Sequence, residues 1–135
     1  MIDSIKGTYL SNFFESVVLY EGLLYRNAES AFQASKCAEH KDRVQFQPLL
    51  GAEAKALGRR ITLREDWNKI KLNTMYEILE AKFEGNPDLL AKLIATGDEE
   101  IVEGNTWNDT YWGKCNGKGE NQLGILLMTI REVKK

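Results

Sequence analysis

A carboxylate, an amide and an amine recur at helical spacing in the stretch AESAFQASK. Glu29, Gln33 and Lys36 fall on one stripe of a helix, because successive residues turn by roughly 100° about its axis. The first turn of a helix favours an ionised Glu29, which suits stabilising a cation, and Lys36 suits binding an anion or donating a proton. The opposite stripe consists of small residues that allow close packing: Ala31, Ala34, Ser35 and Ala38. Glu, Gln and Lys are also typical of a solvated helix face, so the spacing alone leaves two interpretations open.

A second polar cluster lies in the loop from Asn108 to Asn121, whose sequence is NDTYWGKCNGKGEN. Asp109 supplies a carboxylate, Trp112 supplies a ring that can stack on a base, and Asn121 begins a helix whose end can face an anion. The glycines follow neither the GxxxxGK[ST] order of a phosphate loop nor the GxGxxG order of a dinucleotide site. A plain turn rich in Gly and Asn is the alternative interpretation.

Basic residues outnumber acidic ones between residues 55 and 71. The segment contains Lys55, Arg59, Arg60, Arg64, Lys69 and Lys71 against Glu65 and Asp66. One interpretation is a phosphate-binding patch, with Arg59 as a clamp and Gly58 letting the backbone approach a ligand closely. The other is a solvated helix face.

The composition excludes several kinds of site. The 135 residues carry a formal net charge of −2, so no overall positive field draws the chain to nucleic acid. Cys37 and Cys115 lack CxxC spacing and His40 is the single histidine, which argues against a disulfide scaffold and a zinc site. We expect free thiols, no metal and no cofactor. No apolar run is long enough to cross a bilayer and no signal-peptide pattern is visible, which predicts a cytoplasmic protein without a membrane partner.

Turn residues and helix caps predict the elements that position these groups. VVLY and LLYR around an EG pair predict a β-hairpin over residues 17–26. Asn27 predicts the N-cap of a helix that runs to about His40. AEAKALGRR predicts a short helix that ends near Gly58.

The second half of the chain predicts three further helices. Asp66 is expected to cap a long one that ends at Gly85-Asn86, and its core stripe is Leu72, Met75, Tyr76, Leu79 and Phe83. Pro87 begins another helix, which closes near Gly97. Ile101 and Val102 predict a strand, and Asn121 is expected to cap the last helix.

Several motifs together carry a resemblance to a known family. LSNFFESVVLYEGLLYRNAESAFQASK resembles the opening of the NADAR, or YbiA-like, family, in which a Glu-x-x-x-Gln-x-x-Lys helix follows a hairpin. The similarity continues in order through AKALGRR, KFEGNPDLLAKLIATG, YWG and NQLGILLMTIR, and so spans nearly the whole chain. Two positions differ: Ser30 stands where the family usually has His after the helix Glu, and Cys115 stands where it usually has Gly.

The resemblance implies an α+β, predominantly helical single domain over residues 1–135, with a small hairpin or sheet and a YbiA-like fold. It also implies an N-glycosidase that hydrolyses a bond between ribose and a base-type nitrogen. Related proteins are implicated in cleaving phosphorylated intermediates of riboflavin synthesis or in removing ADP-ribose from modified guanine, including modified nucleic acid. A module that binds ADP-ribose without cleaving it is the alternative. Oligomeric state is not readable from the sequence.

The resemblance also suggests roles for the polar clusters. Cleavage of a ribosyl C–N bond develops positive charge on the sugar and negative charge on the leaving nitrogen. Glu29 is then expected to stabilise the sugar or activate water, and Asp109 to orient ribose hydroxyls or share that work. Lys36 is expected to protonate the leaving group or, with Gln33, to hold a phosphate, hydroxyl or carbonyl group.

The remaining predicted site residues are expected to bind substrate. Trp112 or Trp67 would stack on the base, and Arg59 would clamp a phosphate. The other residues of the expected wall are Asn12, Phe13, Gly113 and Asn121.

Overall fold

In the computed structural model, which describes all residues from 1 to 135, a β-hairpin precedes the first helix. Its strands β1 (Val18–Tyr20) and β2 (Leu23–Tyr25) pair in antiparallel register. The two turn residues between them, Glu21 and Gly22, have φ angles of 47° and 82°. Positive φ at both central positions gives a turn whose twist matches that of the strands. The predicted hairpin is therefore confirmed.

The chain divides into two compact units. Residues 12–86 form the first, and residues 1–11 together with 87–135 form the second. The single domain expected over residues 1–135 stays a prediction.

Helices make up most of the unit of residues 12–86. They are α1 (Ala28–Ala34), α2 (His40–Arg43), a short 3₁₀ helix (Val44–Phe46), α3 (Gly51–Gly58) and α4 (Trp67–Gly85). Helix α1 packs against α3 and α4, and β1 packs against α4. Every residue of α1 is buried, so this helix is the centre of the unit.

Helix α1 is shorter than predicted, because it ends at Ala34 and not near His40. The hydroxyl of Ser35 donates to the carbonyl of Ala31 at 2.8 Å, and the backbone N–H of Lys36 bonds only three residues back, at 3.2 Å. The bond of Lys36 closes the helix with a 3₁₀-like turn, and the hydroxyl of Ser35 competes for a helical carbonyl. Lys36 therefore lies in the turn after the helix, and His40 begins α2 and does not prolong the stripe of Glu29.

The buried face of α4 differs from the predicted core stripe at two positions. Met75, Leu79 and Phe83 are buried as expected, but Leu72 is 37% exposed and Tyr76 is only half-buried. Thr74 lies in the buried face instead, one turn before the fully buried positions that follow. The apolar periodicity of 3.6 residues allows a neighbouring stripe to be chosen, and packing against α1 and β1 selects the one that contains Thr74.

The other unit contains two helices and a small parallel ladder. Helix α5 covers Pro87–Ala95 and α6 covers Gln122–Lys134, and the two pack together. Strand β3 (Gly104–Asn105) pairs in parallel with β4 (Lys114–Cys115). The strand predicted at Ile101 and Val102 is wrong, since Ile101 makes only an isolated bridge to the start of the chain.

The fold class is confirmed as α+β and predominantly helical, with six α-helices and only short strands. No helix combines the length and apolar character that crossing a membrane requires.

Candidate active site

Glu29 lies in the first turn of α1, two residues after the helix cap. The side-chain oxygen of Asn27 accepts a hydrogen bond from the backbone N–H of Ser30 at 2.8 Å, which confirms the predicted N-cap. The backbone N–H of Glu29 donates to the carbonyl of Asn12 at 2.9 Å. Glu29 itself is 8% exposed. A nearly buried carboxylate is thus held at a helix N-terminus, where the helix dipole favours its ionised form.

Gln33 lies one turn after Glu29 and contacts it directly. Its amide Nε2 donates to Glu29 Oε2 at 2.7 Å, and Gln33 is only 5% exposed. The interpretation of this stripe as a solvated face is therefore wrong for both residues. A donor that is fixed on a carboxylate restricts its rotamer and stabilises its charge.

Lys36 lies half-buried among other charges. Burial lowers the pKa of Lys36, the nearby Glu29 carboxylate raises it, and three further cations lower it. Those cations are Lys55, Arg59 and Lys71. We call Lys36 and these three residues the basic cluster. Like charges held close to one another repel, so this cluster favours an anion that would neutralise it.

Asn12 and Phe13 lie before α1 but differ in exposure. Asn12 is 8% exposed, and its amide Nδ2 lies 3.5 Å from the sulfur of Met75. Phe13 is 43% exposed, and its ring rests on the backbone at Gly51, where an added Cβ would come within 2.7 Å of Phe13 Cγ. The ring of Phe13 is therefore partly open for stacking.

Trp67 is a packing residue at the start of α4. It is 5% exposed, and its ring lies 5.0 Å from that of Phe32 in a tilted arrangement. Such aromatic pairs stabilise the packing of helices. The packing leaves Trp67 little free surface for a base, so of the two indoles predicted to stack, Trp112 is the more accessible.

In the other unit, side-chain hydrogen bonds to the backbone order the loop that carries Asp109. Asp109 Oδ1 accepts the backbone N–H groups of Tyr111 at 3.2 Å and Trp112 at 2.9 Å. Asn105 bonds to the backbone N–H and carbonyl of Asp109, at 3.1 and 2.8 Å. Tyr111 packs edge-on against Trp112, with ring centroids 4.8 Å apart. The loop is therefore a specific structure and not a loose turn. Asn105 was not predicted as part of it, because the bend that brings residues 105 and 109 together is not visible in the sequence.

Gly113 and Asn121 have visible structural roles. A Cβ at Gly113 would lie 2.7 Å from Glu103 Cγ, so the close approach requires glycine. Asn121 precedes α6 with a φ of 54°, but its side chain does not cap that helix as predicted. Its amide instead accepts from the backbone N–H of Glu103 and donates to the carbonyl of Ile101, both at 2.9 Å. Both residues tie the segment before β3 to the start of α6.

The two positions that differ from the family pattern are both buried. The Ser30 hydroxyl donates to the carbonyl of Leu49 at 2.9 Å, so it supports the packing of α1. Cys115 and Cys37 are free thiols, as expected. No group of three or more His, Cys, Asp or Glu side chains is arranged to hold a metal ion.

The structure therefore brings the predicted residues together within two groups. Asn12 and Gln33 each form a hydrogen bond with Glu29, and Glu29 and Arg59 both act electrostatically on Lys36. Within the other unit, the loop that carries Asp109 and Trp112 is bonded to the start of α6.

Comparison with known proteins identifies relatives over almost the whole chain. The model of the NADAR domain matches residues 3–133. The N-glycosidase YbiA of Shigella boydii is 39% identical over 127 residues, which cover 90% of this chain and 78% of that protein. The riboflavin biosynthesis protein VVA0006 of Vibrio vulnificus is 34% identical over 132 residues, 92% of this chain but 35% of that longer protein. The NMR structure of the E. coli protein YbiA is 34% identical and superposes with a TM-score of 0.83 over 99% of this chain and 86% of that one.

Proposed function

Because the chain belongs to the NADAR domain family and is an N-glycosidase, we propose that it hydrolyses the bond between the anomeric carbon of a phosphorylated ribosyl group and a base-type nitrogen. The observation that carries the proposal is the buried Glu29 carboxylate next to the basic cluster. The Glu29 carboxylate suits a sugar that becomes positively charged, and the basic cluster suits a phosphate.

The reaction breaks the C1′–N bond, forms a bond from C1′ to a water oxygen, and transfers a proton to the leaving nitrogen. Glu29 stabilises the oxocarbenium-like sugar and accepts the proton of the attacking water. Lys36 donates a proton to the leaving nitrogen, since burial lowers the pKa of this amine and so makes its ammonium form a stronger acid. Both groups are positioned by α1 or by the turn that directly follows it.

The remaining contacts in the proposal concern phosphate and base. Arg59 is exposed at the end of α3 and clamps the phosphate, because guanidinium groups bind phosphate oxygens bidentately. Phe13 and Trp112 are the candidate stacking surfaces, and Asn12 stays a candidate contact. Asp109 stays a candidate catalytic carboxylate, although its Oδ1 already accepts two backbone N–H groups. Its replacement is therefore expected to disturb the loop as well as any chemistry.

The substrate that we favour is a small pyrimidine ribosyl phosphate of the kind found in riboflavin synthesis. The net charge of −2 gives no general attraction to nucleic acid, and the Vibrio vulnificus relative is named as a riboflavin biosynthesis protein. ADP-ribosylated guanine, free or in DNA, shares the ribosyl C–N bond and the phosphate and is the second substrate to test. A cytoplasmic location remains a prediction.

The test is a chromatographic assay for released base with the wild-type protein and Glu29→Gln. A riboflavin-pathway pyrimidine ribosyl phosphate and a guanine-ADP-ribosylated DNA oligonucleotide are assayed in parallel. We expect release from the pyrimidine ribosyl phosphate, and a loss of roughly 10²-fold or more in Glu29→Gln. Glu65→Gln, an exposed carboxylate of the same unit, is the control for the change of charge and is expected to behave as wild type.

Release from the DNA substrate alone would transfer the proposal to ADP-ribosylated guanine. Undiminished release by Glu29→Gln would remove Glu29 from catalysis. Tight binding of both substrates without release would contradict hydrolysis and favour a binding module.

A further inference from the structure

Gly58 faces the side chain that holds the candidate catalytic carboxylate. An added Cβ at Gly58 would overlap Gln33 Oε1 and lie 2.8 Å from Gln33 Cδ and 3.3 Å from its Cγ. Gly58 does not have a positive φ, so backbone conformation does not explain the glycine. The glycine is explained instead by the space that the amide of Gln33 occupies beside it.

The amide of Gln33 is also unusual in its hydrogen bonds. Its Oε1 is buried from solvent and has no hydrogen-bond partner, while its Nε2 is bonded to Glu29. A buried amide oxygen without a donor is normally unfavourable, so the arrangement needs a reason. Oε1 is buried against Gly58 of α3 and is not open to a substrate in this structure. The structure therefore gives Gln33 a contact to Glu29 and no open acceptor for substrate.

We propose that Gly58 and Gln33 are positioning residues for Glu29, which extends the proposed function and rests on it. Gly58 provides the space on α3 in which the Gln33 amide lies, and from this position Gln33 holds the Glu29 carboxylate in one orientation. Gln33 thereby takes a positioning role in place of the substrate contact expected from its sequence motif. The inner face of α3 supports this arrangement, since its buried residues are the small Gly51, Ala54 and Gly58, which allow close approach to α1.

The inference predicts a specific defect in Gly58→Ala. Ala is a better helix former than Gly, so a purely local view predicts unchanged or higher stability. We expect instead that the displaced amide releases Glu29 and that kcat for base release falls by roughly 10-fold to 10²-fold, with KM changed less than threefold. The acid limb of the pH dependence of kcat is expected to move to higher pH, because the carboxylate loses a donor that stabilises its charge.

The experiment compares Gly58→Ala, Gln33→Ala and the double variant on the ribosyl substrate that the wild-type protein cleaves. Gln33→Ala removes the group with which the new methyl collides, so the double variant is expected to match Gln33→Ala in kcat and in pH profile. Gly85→Ala is the matched control, since its Cβ would meet only the Val17 carbonyl at an ordinary 3.6 Å. Thermal unfolding of each variant verifies that the chain is folded.

Wild-type kcat and pH profile in Gly58→Ala, with Glu29→Gln inactive, would overturn the inference alone. An equal further loss from Gly58→Ala in the Gln33→Ala background would also overturn it. Full activity of Glu29→Gln would overturn the proposed function instead, so the two failures are distinguishable. If Gly58→Ala does not fold, the kcat and pH profile of Gln33→Ala alone decide the role of Gln33.

Discussion

At the scale of single residues, burial affects two lysines of the same unit in the same direction. Lys36 is half-buried beside Glu29 and other cations, and Lys82 is fully buried in α4. Transfer from water disfavours the charged form of an amine, so the pKa of each is lowered. The consequence differs, because Lys36 lies beside the candidate catalytic carboxylate and Lys82 lies among core side chains of the helix.

Replacement of Lys36 by Arg separates its two possible roles. Arg keeps a positive charge for a phosphate, but its guanidinium does not release a proton in this pH range. If Lys36 protonates the leaving nitrogen, Lys36→Arg is expected to keep KM within about threefold and to lose roughly 10²-fold or more in kcat. Steady-state base release gives both values. Lys55→Arg, which changes another cation of the basic cluster, serves as control and should leave kcat unaltered; a wild-type kcat for Lys36→Arg would assign Lys36 to phosphate binding alone.

Lys82 predicts a pH dependence of stability. Burial lowers the pKa of Lys82 to about 7 in the folded chain from an ordinary 10.5. Between these values the unfolded chain binds more protons than the folded one, so the free energy of unfolding rises with pH, by at most about 1.4 kcal/mol per pH unit. Below about pH 7 both states are protonated and the destabilisation by Lys82 is complete.

Lys82→Met is therefore expected to be most stabilising, relative to wild type, near pH 6.5, and this advantage should shrink as the pH approaches 9.5. Urea unfolding at intervals over that range measures the difference between the two proteins, in which shared titrations cancel. Lys69→Met, at an exposed position of α4, should show a constant offset. Parallel curves for wild type and Lys82→Met would contradict the prediction.

At the scale of elements, α1 derives its geometry from both of its ends and from α3. Asn27 fixes the start of α1, and the hydroxyl of Ser35 helps to close its last turn. The small inner face of α3 lets the two helices approach closely, which brings Arg59 and Lys55 near Lys36. The surroundings of Glu29 and Lys36 are therefore a product of helix packing as well as of the periodicity of one helix.

Asn27 offers a test of the start of α1. Its Oδ1 caps the helix and its Nδ2 donates to the carbonyl of Leu49 at 3.1 Å. Asn27→Ala is expected to lower the free energy of unfolding by about 1–3 kcal/mol, because a cap and a buried donor are both lost. Asn27→Ser keeps a capping oxygen but loses the amide donor, so it should fall between Asn27→Ala and wild type.

Chemical denaturation of the three proteins gives this order. Asn73→Ala, at an exposed position of α4, controls for the loss of an amide and is expected to change stability by less than about 0.5 kcal/mol. Equal stability of Asn27→Ala and wild type would show that packing alone holds the start of α1.

Local signals account for what the sequence could predict. The hairpin, the Asn27 cap and the ends of α4 and α5 each depend on a few neighbouring residues whose conformational preferences agree with the fold. Several contacts that fix the candidate site are not local: Gln33 meets Gly58, and Asn121 meets Ile101 and Glu103. A motif can indicate that Glu29 and Gln33 share a stripe, but only packing reveals that both are buried.

At the scale of the whole molecule, charge is distributed so that attraction to an anion is local. The chain has a net charge of −2, yet three further cations of the basic cluster lie within electrostatic range of Lys36. A net negative protein gains little from the condensed counterions of a long polyanion, whereas one phosphate at the cluster interacts with several cations. This distribution is the physical reason for favouring a small phosphorylated substrate.

Arg59 and its neighbour Arg60 provide the test of this local attraction. Arg59 is one of the cations that lower the pKa of Lys36, whereas Arg60, also exposed, is not among them. Arg59→Gln is expected to raise KM about threefold to tenfold and to weaken the rise of KM with salt between roughly 50 and 500 mM NaCl, a range over which the Debye length falls about threefold. Arg60→Gln should leave KM and its salt dependence close to wild type.

An unmodified DNA oligonucleotide should neither bind in a fluorescence anisotropy titration near physiological salt, about 150 mM, nor inhibit base release. Equal effects of the two Arg variants, or tight binding of unmodified DNA, would mean that the whole basic segment from residue 55 to residue 71 binds a polyanion. The substrate would then be sought among modified nucleic acids.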